Sequence, residues 1–338
     1  MRHISRARAA LAVLSISTVL VACGDESSSD QAAATSTPTS EVAFPLTLKN
    51  CGSTLKVAQP AERIYSGNYE MTENLLALGL EDRIVGAAKW SDAIWEGHRK
   101  AAAKLNILKE PGAESVLDLK PDLVAGSWDL YDYGLGKRKT FDDLVIVSYI
   151  SPSACTDKED SADYDAAKRT APLKAEIIYT ELEELGQIAG VPSRADALVA
   201  DLKQRVTNAT RDDFSGVSVM FWFGNTDSPY IGGCCGAPGI IAHNLGLTNV
   251  FENVKQEWPK VSWEKVVAKN PDVIIMADLG KAEKNIKYLE SDPAASTLDA
   301  VKHKRIIAVP AQGLTPSVTT FYDLEAVAKQ LRALGFGK

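Results

Sequence analysis

The chain carries one short segment twice, as Glu114-Ser-Val-Leu-Asp-Leu-Lys-Pro-Asp-Leu-Val124 and as Glu264-Lys-Val-Val-Ala-Lys-Asn-Pro-Asp-Val-Ile274. In both copies Glu, Val, Pro and Asp stand at the same offsets. Two helical turns should stop before the proline, which disfavours helix at the residue preceding it, and a buried strand should follow. A generic helix-proline-strand junction explains the Pro-Asp pair but not the shared Glu and Val. The repeat therefore predicts two similar lobes.

Short β-branched runs surround both copies and alternate with helical patterns. This alternation is typical of parallel sheets covered by helices. The runs occupy residues 63–65, 83–87, 122–125, 144–150, 217–223, 272–276 and 305–309. The predicted fold class is α/β, with two Rossmann-like lobes joined by a single long backbone helix.

The helical pattern that joins the two halves covers residues 172–189, with Pro172 in its first turn and Gly190 after its end. A helix of this length would span about 27 Å, and a second helix over 193–208 should pack beside it. The predicted domains are a first lobe at 44–170, an interdomain helix at 171–190 and a second lobe at 191–338. One helical crossing predicts a small opening motion.

The amino-terminal segment predicts export and anchoring. Residues 1–22 have a basic front and an apolar run too short for a stable membrane span, which indicates a signal peptide. Leu20-Val-Ala-Cys23 resembles the bacterial lipobox, which implies cleavage before Cys23 and acylation of its thiol. An ordinary signal peptide with a chance cysteine is the alternative. Residues 23–43 are rich in Ser, Thr and Ala and predict a disordered tether.

The charge balance is acidic, with 44 Asp and Glu against 37 Lys and Arg and a formal net charge of −7. Removal of the signal peptide would make the mature chain more negative, because it takes away Arg2, Arg6 and Arg8. This balance argues against nucleic acid as a partner.

Four cysteines follow Cys23, an even number in an exported and oxidising setting. Cys51, expected in a strand, and Cys155, expected after one, both fall in the first half, which favours their pairing. Cys234 and Cys235 would then form a vicinal pair, although free or crosswise-paired thiols remain the alternative. No Cys-x-x-Cys or His-Cys spacing indicates a metal site.

Several motifs together resemble one family over residues 44–336. They are Thr72-Glu73, Leu78-Gly-Leu80, Ile84-Val-Gly86, Leu119-Lys-Pro-Asp-Leu-Val124 and Trp258-Pro-Lys-Val-Ser-Trp-Glu264. The chain is similar to the periplasmic binding proteins for vitamin B12, ferric siderophores and haem, the class III, helix-backbone proteins that serve ABC importers. The resemblance implies an extracytoplasmic monomer without a cofactor that delivers a small ligand to an ABC permease dimer.

In that family a glutamate on each lobe enters an arginine pocket of the permease, and Glu114 and Glu264 stand at the matching positions. One exposed carboxylate per lobe suits a receptor with two-fold pseudosymmetry, because hydrogen bonds between Arg and carboxylate are directional. The alternative is that each Glu only complements the dipole of its own helix.

Aromatic residues follow the predicted strands, at the edge where open α/β sheets bind ligands. The candidate ligand contacts are Tyr69, Trp90, Trp128, Tyr131, Phe223, Tyr230 and Trp258. Trp90, Trp128 and Trp258 resemble aromatic contacts of the B12-binding member of the family, with Trp128 displaced by one position. Flat aromatic surfaces suit a bulky chelate, but core packing explains each residue equally well. The glycines at 232–239 predict a close backbone approach to the ligand, with a structural hairpin as the alternative.

The scarcity of basic residues in three second-half loops limits the classes of ligand that the protein is expected to bind. The loops at 224–239, 253–260 and 311–320 offer only Lys255 and Lys260, which favours a neutral or weakly charged iron(III) chelate such as a hydroxamate siderophore, with B12 next. Haem is less favoured, since each of His98, His243 and His303 is more typical of a surface or core residue than of an axial ligand.

Two other classes of protein stay open. An exported thiol-redox or hydrolytic enzyme is disfavoured, because the chain has no Gly-x-Ser-x-Gly, His-Glu-x-x-His or Walker-type motif. A structural envelope lipoprotein would differ from a binding protein in showing no ligand-dependent quenching of its tryptophans.

Overall fold

The structure is a computed structural model that describes residues 42–89, 94–127, 130–159 and 168–337. The first lobe has seven strands: β1 (Leu46–Asn50), β2 (Ser53–Val57), β3 (Ile64–Ser66), β4 (Ile84–Ala88), β5 (Ile107–Leu108), β6 (Leu123–Gly126) and β7 (Val147–Ile150). Its helices are α1 (Tyr69–Ala77), α2 (Arg99–Ala102), α3 (Ala113–Leu117), α4 (Arg138–Asp143) and α5 (Pro152–Cys155). Five of the strands form a parallel sheet in the order β5-β4-β3-β6-β7.

Two helices, α6 (Glu176–Ile188) and α7 (Pro192–Ala209), follow the first lobe. The second lobe contains β8 (Ser218–Gly224), β9 (Tyr230–Ile231), β10 (Thr248–Asn249), β11 (Val273–Asp278) and β12 (Ile306–Pro310). Its helices are α8 (Ala237–Leu245), α9 (Trp263–Lys269), α10 (Ala282–Ser291), α11 (Asp299–Lys302) and α12 (Thr319–Ala333). The parallel strands run in the order β10-β8-β11-β12, and β9 pairs antiparallel with β8.

The two sheets follow one plan. The order β10-β8-β11-β12 in the second lobe repeats the order β4-β3-β6-β7 in the first, with the earliest strand of each set in the interior. The α/β class with two lobes and parallel sheets is therefore confirmed. Buried Val and Ile fill both faces of each sheet, as expected for parallel strands.

The duplicated segment has the same structural role in each lobe. The residue before its proline, Lys120 or Asn270, has a positive φ of 50° or 40°. Asn270 caps the end of α9, and Lys120 lies in the turn after α3. The aspartate that follows the proline accepts hydrogen bonds from the backbone at the start of the neighbouring strand. Asp122 accepts the backbone N–H groups of residues 62 and 63 at 2.9 Å, and Asp272 accepts the N–H of Ser218 at 2.9 Å.

The connection between the lobes is helical, and α7 packs beside α6 and antiparallel to it. Helix α6 has 13 residues, about 20 Å, and is shorter than the predicted helix over 172–189. It begins beside the second lobe, where Tyr179 stacks on Phe321 at 5.1 Å, and its end accepts the Ala61 N–H at 2.9 Å through Ile188. Helix α7 runs back, from a hydrogen bond between Arg194 and the Gly79 carbonyl to an ion pair between Arg205 and Glu325.

The amino-terminal hairpin corrects one expectation. Cys51 lies in the turn between β1 and β2, with a φ of 42°, and not in a strand. The amide of Asn50 exchanges hydrogen bonds of 2.7 and 2.9 Å with the backbone of Ile150, which places the turn beside the end of β7. Cys51 is joined there to Cys155 with a Cα–Cα distance of 5.6 Å. Across the ranges that the structure describes, no helix has the length and apolarity needed to cross a membrane.

Candidate functional site

Loops at the carboxyl ends of the parallel strands in the two lobes contact each other, and the region between the two lobes at this edge is called here the cleft. Tyr69, the first residue of α1 after β3, forms a 2.5 Å hydrogen bond with the Thr315 hydroxyl, which lies in the loop after β12. Next to it, Asn74 accepts the Val318 N–H at 2.8 Å. Ligands of open α/β sheets bind at this edge, and Tyr69 stays a candidate ligand contact there.

Three of the predicted aromatic residues are gathered in the second lobe. The rings of Phe223 and Trp258 lie 4.8 Å apart and are tilted by 56°. Tyr230 pairs through its backbone with Gly224 and Lys260, and the Lys260 ammonium lies 4.9 Å from the Tyr230 ring. All three aromatic side chains are half-buried. They form an aromatic wall at the end of β8, defined here as Phe223, Tyr230 and Trp258.

Tyr131 does not belong to the cleft. Its side chain is 3% exposed, its hydroxyl donates to the Val124 carbonyl at 3.0 Å, and its ring packs edge-on against Phe141. Burial raises the pKa of the Tyr131 phenol well above its usual value. A π-helical turn at Leu130–Leu135 directs the ring into the core. Trp90, Trp128 and Cys23 lie outside the described residues.

The glycine-rich segment 232–239 serves packing of the backbone. A Cβ at Gly233 would collide with the carbonyls of Val254 and Gln256, and one at Gly239 would collide with the carbonyl of Cys234. Gly233 is therefore needed where its backbone meets residues 254–256, and Gly239 is needed where its backbone meets Cys234. A close approach of this segment to the ligand stays a prediction. Cys234 and Cys235 form a vicinal pair in this segment, with a Cα–Cα distance of 3.6 Å.

The two candidate docking glutamates occupy equivalent positions. Glu114 and Glu264 lie in the first turns of α3 and α9, and both are exposed. The Ser262 hydroxyl makes no capping bond to the backbone of α9; its hydrogen bond to Glu264 lowers the pKa of that carboxyl. In the first lobe Ser115 accepts the Gly112 N–H at 3.0 Å. Each carboxylate is thus presented at the edge of its lobe.

Three buried polar pairs were not found from the sequence. Arg169 binds Glu257, Glu73 binds His98, and Glu181 accepts the Ser151 hydroxyl at 2.7 Å. Burial raises the pKa of Glu181 to about 7. The His98 Nδ1 contacts the buried Glu73 carboxylate, which fixes the His98 ring beside α1. The partners in the first two pairs are 88 and 25 positions apart, so no local pattern could reveal them.

In the described ranges, no group of three or more His, Cys, Asp or Glu residues could hold a metal ion.

Comparisons with known proteins agree with this architecture. The family described as periplasmic binding protein matches residues 64–312. The vitamin B12-binding protein of Yersinia pseudotuberculosis serotype O:3 (strain YPIII) is 26% identical over 226 residues, which cover 65% of this chain and 71% of that protein.

Solved structures show the same fold. A periplasmic binding protein from Veillonella parvula DSM 2008 has a TM-score of 0.73 at 24% identity, covering 85% of this chain and 97% of that one. An ABC-type Fe3+-hydroxamate transport system from Saccharomonospora viridis DSM 43017 has a TM-score of 0.68 at 22% identity, covering 86% and 99%. With the match over residues 64–312, the chain belongs to the periplasmic binding protein family, the non-enzymatic ligand carriers of ABC importers outside the cytoplasm.

Proposed function

We propose that the protein is a lipid-anchored carrier that captures a ferric hydroxamate-type siderophore between its lobes and delivers it to an ABC permease. The observation that carries this proposal is the aromatic wall at the carboxyl end of β8, the edge of a parallel sheet at which ligands of open α/β folds bind. Half-buried aromatic rings offer a large, rigid contact area at a small cost in side-chain entropy, and this suits a bulky chelate.

The charges around the wall support a neutral ligand. In the second-lobe loops at 224–239, 253–260 and 311–320 the cations are Lys255 and Lys260, both exposed, and the buried charge of Arg169 is balanced by Glu257. A catecholate or citrate chelate with several negative charges would need a cluster of Arg or Lys side chains. The Saccharomonospora relative is described as a hydroxamate transport protein, which agrees with this choice.

Cobalamin is the second candidate, because the Yersinia relative is a vitamin B12-binding protein and cobalamin is also bulky. The test is a titration of the mature protein with a ferrioxamine-type hydroxamate, a ferric catecholate, haem and cobalamin, followed by tryptophan fluorescence. We expect the hydroxamate to bind most tightly. Tightest binding of cobalamin would select the second candidate, and tightest binding of the catecholate or haem would contradict both.

The membrane anchor is tested separately. If Cys23 is acylated, Cys23→Ala should release the protein from the membrane fraction while its ligand affinity stays unchanged. Retention of the variant in the membrane fraction would contradict the anchor and leave the carrier function standing.

A further inference from the structure

Arg169 is almost completely enclosed by the protein. Its side chain is 2% exposed and its Nε donates to Glu257 at 2.6 Å. The two terminal nitrogens donate to the carbonyls of Thr156 at 2.7 Å and Ser153 at 2.5 Å. One guanidinium therefore joins the loop after β7 in the first lobe to the loop before α9 in the second.

The backbone around Arg169 makes the same connection. The Arg169 N–H donates to the Lys255 carbonyl at 3.1 Å, and Thr170 N–H donates to Asp157 at 2.7 Å. Lys168 forms an antiparallel bridge with Gln256. Residues 168–170, called here the interlobe strap, thus lie between segments that belong to different lobes.

The loop that receives the interlobe strap also carries Trp258. Its backbone is fixed on the other side, where the Glu257 carbonyl accepts the Gly233 N–H at 2.8 Å and the Pro259 carbonyl accepts the Ile231 N–H at 3.0 Å. The Glu257 side chain is 12% exposed, and its carboxylate contacts the guanidinium of Arg169 in the interlobe strap. Movement of Glu257 would therefore move the neighbouring Trp258.

We propose that the Arg169–Glu257 pair positions the aromatic wall against the first lobe and thereby sets ligand affinity, an inference that rests on the proposed function. A guanidinium that loses its buried counter-charge must rearrange or admit water, and the loops that it joins would move with it. Lysine cannot replace it, because one ammonium does not reproduce three hydrogen bonds in fixed directions. Both residues act through Trp258 and are positioning residues.

The test compares Glu257→Gln with Asp212→Asn, which weakens the half-exposed pair between Asp212 and Arg332. We expect Glu257→Gln to raise the Kd for a ferrioxamine-type hydroxamate about tenfold, and Asp212→Asn to leave it unchanged. Positioning through Trp258 also predicts non-additivity. In the Trp258→Ala background, Glu257→Gln should have almost no further effect on the Kd. An unchanged Kd, or fully additive effects, would overturn the inference.

Two further measurements keep the test decisive. If Glu257→Gln does not fold, the double variant Arg169→Met/Glu257→Leu removes both charges without leaving one of them buried alone. We expect this double variant to fold and to bind the hydroxamate weakly. An affinity equal to that of the wild type would refute the inference. If the wild-type protein binds none of the four ligands, the proposed function fails, but the position of Trp258 can still be measured. Its acrylamide quenching, taken as the difference from Trp258→Phe, should increase in Glu257→Gln.

Discussion

Glu181 is a buried acid in the helical connection between the lobes. It is fully enclosed by α6, α1 and the loop after β7, where the Ser151 hydroxyl donates a hydrogen bond to it and Glu184 and Glu70 oppose its ionisation. Burial is the largest effect and raises the pKa of Glu181 from 4.5 to about 7. The folded protein therefore holds this proton more tightly than the unfolded chain does.

The sign of the pH dependence follows from this shift. The contribution of Glu181 to stability is fully present below pH 4.5 and is lost as the pH rises to about 7. Glu181→Gln should therefore match the wild type near pH 4 and exceed its free energy of unfolding at pH 8 by roughly 3 kcal/mol, at 1.36 kcal/mol per pKa unit. Urea unfolding at several pH values measures this. Glu176→Gln, an exposed change on the same helix, is the control, and a pH-independent difference would contradict the assignment.

Trp258 gives a second prediction at the scale of the residue. Trp258→Ala should weaken hydroxamate binding by about tenfold to a hundredfold, because it removes the larger ring of the aromatic wall. The control is Tyr131→Phe, which removes a buried hydroxyl bonded to Val124. It should lower stability by about 1 kcal/mol without changing the Kd. Equal ligand affinities for the wild type and Trp258→Ala would exclude the wall as the binding surface.

At the scale of elements, the disulfide between Cys51 and Cys155 closes a loop across 104 positions. A cross-link of this span lowers the conformational entropy of the unfolded chain. In the chain-entropy account this raises the free energy of unfolding by about 4 to 5 kcal/mol. Cys51→Ser/Cys155→Ser should lower the free energy of unfolding by up to this amount, as measured with urea. Reductant should have the same effect on the wild type. If reductant left the wild-type midpoint unchanged, the two thiols would not be linked in solution.

Local patterns predicted the duplicated segment and the strands β3, β4, β6, β7, β8, β11 and β12, because buried β-branched runs and the proline stop depend on neighbouring residues alone. They did not predict the short strands β5, β9 and β10 or the β1–β2 hairpin. Helix α6 is shorter than its apolar pattern indicated, since the chain before it is used to contact the second lobe, where Leu173 N–H donates to the Cys235 carbonyl at 3.1 Å. Tyr131 was misplaced because the π-helical turn that directs it inward depends on packing against Phe141. The Arg169–Glu257 pair was missed because its partners are distant in sequence.

For the whole molecule, the equivalent positions of Glu114 and Glu264 lead to a prediction about transport. Glu114→Lys or Glu264→Lys should abolish uptake of the ligand while the Kd of the isolated protein stays unchanged, because reversal of the charge would repel an arginine pocket on the permease. Glu290→Lys, an exposed change on α10, serves as the control and should leave uptake intact. A loss of ligand affinity in either docking variant would instead place that glutamate at the binding site.

The strand order shared by the two lobes has a consequence for how such a carrier can evolve. A receptor that contacts only the first turns of α3 and α9 binds a nearly symmetric pair of surfaces. A cargo that contacts only the loops binds two surfaces of different composition. If Glu114 and Glu264 bind the permease and the aromatic wall binds the cargo, orientation on the receptor and choice of cargo depend on separate parts of the polypeptide. Under that proposal, mutation of the loops changes the cargo specificity while recognition by the transporter is kept.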